Sequence, residues 1–518
     1  MRWCDIVHGF GLSMYRSLLS VGGFTLLSRV TGLLREVIMA SVLGRGMLSD
    51  AFLVAFRLPN HFRTIFAEGA YSAALIPLYS SLKHDSEASS RTFVRTMLGW
   101  QIVVQLVLLM VAFFAMPVIV AVLAPGFVAR PEQMALAVEL TRITFAYLLC
   151  VSIVTHLGDV LNAEKNFWPA AAAPILLNLA MAGMLSLAFF FPSAAHAAAW
   201  GVFAGGFLEV LLLIGATMLR KLPLLPSWPK LTGDVRQFAW RFGPAALGAA
   251  GVQIALFADT ILASFLAEGE LTSLYYADRI NQLPMGIVGV ALGTVLLPEL
   301  SRAVAQGNDI QARRSFNRAT EIGLLLALPC LAAFVVFPDA IMQGLFARGA
   351  FSVADANAAS AVLSAYAAGL PAFILLRTVT PIFHARGDTR TPVYATAVSI
   401  GVNIAVKLVL ILGLSWGSTG LALGTVVGSW VNLGVLAVIA SSRGLLKFDE
   451  RMVSGFPRIV GAAVYCALIA WLIAGPMNIE MSEVSYLRAE MYLAALGLIT
   501  LVSYGVALLA LGWKRARQ

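Results

Sequence analysis

Charge is scarce in this chain. Only 12% of its 518 residues are Asp, Glu, Lys or Arg, against about 25% in a soluble globular protein, and the shortage excludes a water-soluble fold. Cysteine is equally thin. Cys4, Cys150, Cys330 and Cys466 are scattered, three of them inside apolar runs, with no CxxC and no His/Cys metal spacing. Neither a disulfide framework nor a zinc site is expected. No Walker motif is present, so no nucleotide-driven step is read. No signal-peptide h-region with a cleavage site precedes the first long apolar run, and Met14 is a second candidate start. No connection is long enough to form a soluble domain, which leaves no basic module to bind nucleic acid.

What fills the chain is hydrophobic sequence: 59% of it, with a mean hydropathy of +0.84. Apolar runs near ~20 residues, the length that crosses a bilayer, recur from end to end. Fourteen spans are expected, at 17–43, 50–82, 92–123, 134–163, 168–191, 195–219, 237–267, 273–300, 317–337, 357–384, 391–413, 418–441, 455–475 and 487–512. The fold class is therefore an all-α polytopic membrane protein. With the N-terminus placed inside and the sides alternated, inside segments hold 24 Lys/Arg and outside segments four, Arg45, Arg130, Arg348 and Arg488. Such a bias sets orientation, and one missed span would scramble it. Both termini are expected in the cytoplasm, and the net charge of +9 is mostly this basic collar, which suits contact with anionic membrane lipid.

The organisation is read as two six-helix lobes and an appendage. Residues 1–220 carry spans one to six, 221–236 form a cytoplasmic linker with Pro223, Pro226 and Pro229, 237–445 carry spans seven to twelve, and 446–518 add spans thirteen and fourteen. The second span of each lobe has the same punctuation: Pro59, Gly69 and Pro77 in one, Pro284, Gly289 and Pro298 in the other. Proline removes a backbone donor and bends a helix. Matched broken helices in parallel repeats are a transporter pattern, with a site near the midplane. Pro59, Gly69, Pro284 and Gly289 are the expected bending points.

Six arginines interrupt these apolar segments: Arg29, Arg35, Arg57, Arg63, Arg279 and Arg377. A charge at the bilayer centre costs ~2.5–3.5 kcal/mol or more, so it persists only against a wet cavity, a partner or a ligand. Asp50 and Glu68 lie among the first four and can neutralise some of them; each reads either as a holder of arginines or as a gate, Asp50 more as a gate at the outer mouth. The surplus is positive. Guanidinium groups grip phosphate through planar, bidentate hydrogen bonds, so a cationic cavity within the membrane suits an anionic headgroup. Arg29 and Arg35 are six apart, so their helical faces differ by roughly 120°; Glu36, seven after Arg29, shares its face.

The first two spans read Ser28-Arg29-Val30-Thr31-Gly32-Leu33-Leu34-Arg35-Glu36, Ser49-Asp50-Ala51-Phe52, Phe56-Arg57-Leu58-Pro59-Asn60 and Arg63-Thr64-Ile65-Phe66-Ala67-Glu68-Gly69-Ala70. The second lobe adds Tyr275-Tyr276-Ala277-Asp278-Arg279 and Gly289-Val290-Ala291-Leu292-Gly293-Thr294, and Arg386-Gly387-Asp388-Thr389-Arg390-Thr391-Pro392 follows span ten. Along essentially its whole length the chain resembles the MurJ (MviN) family, bacterial lipid II flippases of the multidrug/oligosaccharidyl-lipid/polysaccharide exporter superfamily. The resemblance implies a transporter and not an enzyme, working in peptidoglycan biosynthesis and cell shape in the inner membrane. Its substrate would be lipid II, a polyprenyl-diphosphate-linked disaccharide peptide, with cell-wall synthesis proteins as further partners. It implies that Arg29, Arg35, Arg63 and Arg279 contact substrate, that position 57 needs only a positive charge, and that Asp50 matches a family carboxylate near the outer end of the cavity; Glu36 and Asp278 are read, with Asp50 and Glu68, as gates or charge partners. Spans thirteen and fourteen would form a groove for the lipid tail.

A second constellation leaves two readings open. Asp259 lies in span seven, Asn403 and Lys407 one turn apart in span eleven, and Thr425 in span twelve. Oxygens of Asp, Asn and Thr suit sodium, but the lysine ammonium could stand where the cation would and pair with Asp259; the ion pair is the favoured reading. No cofactor is expected, and membrane potential or an ion gradient would supply the drive. The alternatives weighed are a polysaccharide-lipid flippase or a cation-coupled exporter of the same superfamily. A drug exporter would favour acidic cavity residues, and an enzyme of polyprenyl phosphates would need an acidic DxD or DDxxD cluster, which is absent.

Overall fold

The computed structural model describes residues 12–66, 69–222, 225–474 and 486–512. They are helical almost throughout. A helix lies over each of the fourteen expected segments, with the refinement that several segments are two helices in series. In the first part of the chain these are α1 (Leu12–Leu43), α2 (Met47–Phe66), α3 (Ala70–Asp85), α4 (Glu87–Leu123), α5 (Pro131–Phe145), α6 (Tyr147–Ala163), α7 (Trp168–Ser186), α8 (Ala194–Leu219) and α9 (Gly233–Ser264). In the second they are α10 (Glu270–Ala305), α11 (Asp309–Val336), α12 (Pro338–Phe346), α13 (Val353–Ala367), α14 (Leu370–His384), α15 (Arg390–Leu408), α16 (Gly417–Ser442), α17 (Glu450–Ala474) and α18 (Tyr486–Ala510).

Among the described residues, nine helices are long and apolar enough to cross a membrane, or ten if the α13–α14 pair, bent by 40°, counts as one span. Fourteen were expected. The shortfall has a physical cause in the first lobe: α1 carries Arg29, Arg35 and Glu36, α2 carries Asp50, Arg57 and Arg63, and α3 has only 16 residues. Helices that hold charges do not look like lipid-exposed ones. By contrast α4 turns Met110, Phe114, Val118 and Val122 outward, all exposed. In water such a stripe would be a liability; against lipid tails it is the stable arrangement.

The chain divides into two compact units, Met1–Gly269 and Glu270–Gln518. The division falls one helix beyond the 221–236 linker, because α9 packs on the first unit: Val235 and Phe238 of α9 join Tyr71, Leu75, Leu78, Phe93, Met97 and Val160 in one buried cluster. In the second unit α17 and α18 pack on α11 through Leu328, Ile459, Ala462, Cys466, Tyr504 and Leu508.

The two lobes do not break alike. Span two is interrupted at Gly69, which precedes α3 and sits at φ +57°, a left-handed value that suits glycine. Span eight, expected to break in parallel, is the single helix α10 of 36 residues, with Pro284 and Pro298 inside it. The break in the second unit falls instead in span ten, between Ala367 and Leu370. Proline after the first turn bends a helix without ending it, because only one hydrogen bond is lost and its neighbours persist.

Candidate functional site

In the first unit the arginines of α1 part company. Arg35 is 9% exposed and Glu36 4%. The two form an ion pair, Arg35 Nη1 donates to Asn178 Oδ1 at 3.0 Å, and the guanidinium lies 5.8 Å from the Phe56 ring. Asn178 on α7 also donates to the Ser28 carbonyl, at 3.1 Å. Arg29, a turn and a half earlier, is exposed. The 120° between them thus separates an inward cation, neutralised within the protein, from an outward one. Glu36 serves Arg35.

Helix α2 runs antiparallel to α9, and their facing residues are polar. Arg57 Nη1 donates to Thr260 Oγ1 at 3.1 Å; four residues on, His61 Nδ1 meets Gln253 Oε1 at 2.6 Å, with its ring 4.5 Å from Phe257. Gln253, Phe257 and Thr260 repeat at the helical period, so one stripe of α9 meets one stripe of α2. Arg63 is half-buried on α2, and Asp259 is half-buried beside Thr260. Glu68 lies outside the described residues.

Asp50, in the first turn of α2, is 2% exposed. Its Oδ2 accepts the Gly269 N–H at 2.7 Å, and Arg45 Nε donates to the Gly269 carbonyl at 3.1 Å. Gly269 sits at φ +83°, and a Cβ there would lie 2.5 Å from Arg45 Cγ. The carboxylate is therefore seated on the peptide that closes the first unit.

In the second unit Arg279 is half-buried, 4.7 Å from the Tyr275 ring one turn before it. Asp278 accepts from Gln282 at 2.5 Å. Tyr276 points the other way, fully buried against Phe346 and Phe351. Arg377 on α14 is exposed and lies over Gly289, whose added Cβ would be 3.7 Å from Arg377 Nε. Lys407 is 0% exposed. It fills the groove at Gly424, where a Cβ would come within 2.3 Å of Lys407 Cγ, and Asn403 packs on Gly428 in the same way at 2.8 Å. Gly420, Gly424 and Gly428 make a small-residue seam that lets α15 and α16 approach closely. The Thr425 hydroxyl bonds its own helix, at the Leu421 carbonyl.

Sequence reasoning passed over Asn178, Gln253 and Thr260, the polar partners of Arg35, His61 and Arg57. Each is an isolated polar side chain in an apolar run, and that was the available signal. It also passed over a pair of bonds that tie α3 to α6, Tyr71 Oη to His156 Nδ1 and Ser72 Oγ to Asp159 Oδ1, both 2.8 Å.

An all-helical, multi-pass protein with cations and carboxylates seated inside its helices is built as a membrane transporter. The comparisons with known proteins narrow the class. The family described as "Lipid II flippase MurJ" matches residues 39–491. A "Probable lipid II flippase MurJ" of Rhizobium meliloti is 35% identical over 507 residues, 96% of this chain and 94% of that one. The "Lipid II flippase MurJ" of Burkholderia cenocepacia is 34% identical over 471 residues, 89% and 90% of the two chains. The chain belongs to the MurJ lipid II flippase family. Its fold is shared with a solved MurJ in an inward closed conformation, TM-score 0.77 at 23% identity over 94% of this chain and 97% of that one. It is also shared with an inward-facing MATE transporter of the MOP superfamily, TM-score 0.64 at 17% identity over 80% and 94%.

Proposed function

We propose that this protein flips lipid II, the lipid-linked peptidoglycan precursor, from the inner to the outer leaflet of the bacterial cytoplasmic membrane by alternating access. It is a transporter and not an enzyme. The observation that carries the reading is the coincidence of family membership along nearly the whole chain with arginines set in its helices. Arg29 and Arg377 are exposed and Arg57, Arg63 and Arg279 half-buried, so these guanidinium groups lie less deep than Arg35, which meets Glu36 and Asn178. In this proposal Arg29, Arg63 and Arg279 hold the diphosphate, Arg57 contributes charge, and Arg35 orients α1 from inside.

The remaining roles belong to the same proposal. Asp50, Glu68 and Asp278 act as gates or charge partners. The break at Gly69 and the prolines Pro59 and Pro284, with Gly289, let the helices bend. Residues 446–518 supply the groove for the polyprenyl tail. The ammonium of Lys407, buried one turn from Asn403, supports preferring membrane potential over a sodium site of Asp259, Asn403 and Thr425. With the inside negative, moving one negative charge outward gains ~2.3 kcal/mol per 100 mV, enough to drive export without ATP. Both termini lie in the cytoplasm, on the side that collects Lys and Arg.

The test replaces Arg29 and Arg279 singly with Ala and with Lys in cells that hold no other lipid II flippase, with membrane levels measured in parallel. Loss of viability with both substitutions at normal levels is expected, because an ammonium lacks the bidentate geometry. Survival of both Ala variants would remove these arginines from the site.

A further inference from the structure

At one end of the second unit, where α10, α14 and α16 finish and α11 begins, four cations close around a single cavity of about 240 Å³. Its walls include Arg313, Arg386, Arg443 and Lys447, together with Asp309 and Phe316. This end carries the Lys/Arg-rich connections that orientation assigns to the cytoplasm. We propose that it is a binding site for a phosphate-bearing anion, filled at the membrane surface by the headgroup of an anionic phospholipid.

The charges at this cavity do not balance. Among the described residues only two carboxylates answer the four cations: Asp309 is 3.5 Å from Arg386, and Asp388 is 2.7 Å from Arg443. Arg313 and Lys447 meet no carboxylate among the described residues. Two positive charges are left over in a concave site, where like charges repel by roughly 4 kcal/mol at 4 Å when the effective dielectric is ~20. Exposed arginines with nothing to hold would splay apart into water.

These side chains are held in place. Arg313 Nε donates to the Lys447 carbonyl at 3.1 Å and its Nη2 to the Phe448 carbonyl at 3.3 Å, and Asn317 binds the same Lys447 carbonyl at 3.1 Å. Arg386 Nη1 is tied to the Ile382 carbonyl at 3.1 Å. Arg443 is fixed by Asp388 and lies 6.0 Å from the Phe383 ring. Three guanidinium planes are thus pre-positioned around one space by bonds that leave further N–H groups pointing elsewhere, and a guanidinium offers five donors. Pre-positioned guanidinium groups are what recognise phosphate. At ~30 Å³ per water, the cavity holds a phosphate group and several waters.

The rim of the cavity points to the source of the anion. Ile310, 68% exposed, and Phe448, 48% exposed, flank the cations. An apolar rim beside a basic pocket at a membrane surface fits a lipid, whose acyl chains cover the rim while the phosphate sits inside. A zwitterionic headgroup fits less well, because its ammonium would meet the same cations.

The test titrates the purified full-length protein in detergent with short-chain phosphatidylglycerol, with phosphatidylcholine of the same chain length, and with inorganic phosphate. Bound adducts are read by native mass spectrometry and melting temperature is followed alongside. Lys447→Gln keeps the pinning bonds, which use its backbone carbonyl, and is examined alone and with Arg313→Gln. A control, Lys230→Gln with Arg236→Gln, removes the same charge from the first unit. Expected is a preference for phosphatidylglycerol over phosphatidylcholine, weakened about tenfold or more in the Arg313/Lys447 variant and unchanged in the control, a loss in keeping with two charge-assisted bonds. Phosphatidylglycerol binding without a phosphate response assigns the site to lipid; an equal response to phosphate, lost in the same variant, assigns it to a soluble anion. Equal affinity in variant and wild type, or an equal loss in the control, overturns the proposal.

Discussion

At the scale of single residues, two arginines of one helix have opposite fates. Arg29 and Arg35 carry the same charge in the same apolar run, but Arg35 meets Glu36, Asn178 and Phe56 and Arg29 is exposed. The pair is buried, so breaking it strands a charge, which costs ~3–5 kcal/mol. Arg35→Gln or Glu36→Gln alone should lower the melting temperature of the purified protein clearly, and the double variant by less than the sum; additive losses would dissolve the coupling. Outside the membrane, Asp388 makes a pH prediction. Hydrogen bonds from the Thr391 side chain and backbone, and from Arg443, hold its carboxyl well below the usual carboxylate range. A depressed folded value gives stabilisation that is complete above the unfolded pKa, near ~3.9, and lost as pH falls through the lower folded value. The melting-temperature gap between wild type and Asp388→Asn should be widest near neutrality and narrow below about pH 4. A gap constant with pH would contradict it.

At the scale of elements, the seam between α15 and α16 depends on atoms that are missing. A methyl at Gly424 would meet Lys407 at 2.3 Å, whereas one at Gly289 would touch Arg377 only at an ordinary 3.7 Å. Gly424→Ala should therefore destabilise by ~1–3 kcal/mol, as overpacking does, and Gly289→Ala should leave thermal stability within about 0.5 kcal/mol. Equal effects would mean that the helices part easily. The positions of the helices were legible in the sequence, since apolar length and flanking charge mark them. The break at Gly69 was legible too, because glycine takes φ +57° without cost. The unbroken α10 was not, since Pro284 reads the same whether it bends a helix or ends one. The bend between Ala367 and Leu370 carries no interior proline, and only Gly369 and Pro371 mark it.

At the scale of the whole molecule, the sequence displays class and family well and partners poorly. Hydropathy, the basic collar and long motifs identify a multi-pass transporter. The side chains that answer each cation come from distant helices: Asn178 lies 143 residues from Arg35, and Thr260 lies 203 from Arg57. No spacing rule reaches that far. Residue 237 onward reads as the start of a second lobe, yet α9 packs on the first unit, because its apolar stripe is complementary to α3 and α4. Everything above turns on vectorial movement of an anionic lipid down the membrane potential by this chain alone. Its most direct test is lipid II flipping by the purified protein in proteoliposomes, with an imposed potential of either sign. Flipping toward the positive side is expected, faster as the potential grows and lost in Arg29→Ala. Movement absent at every potential, or at a rate indifferent to its size and sign, would contradict it.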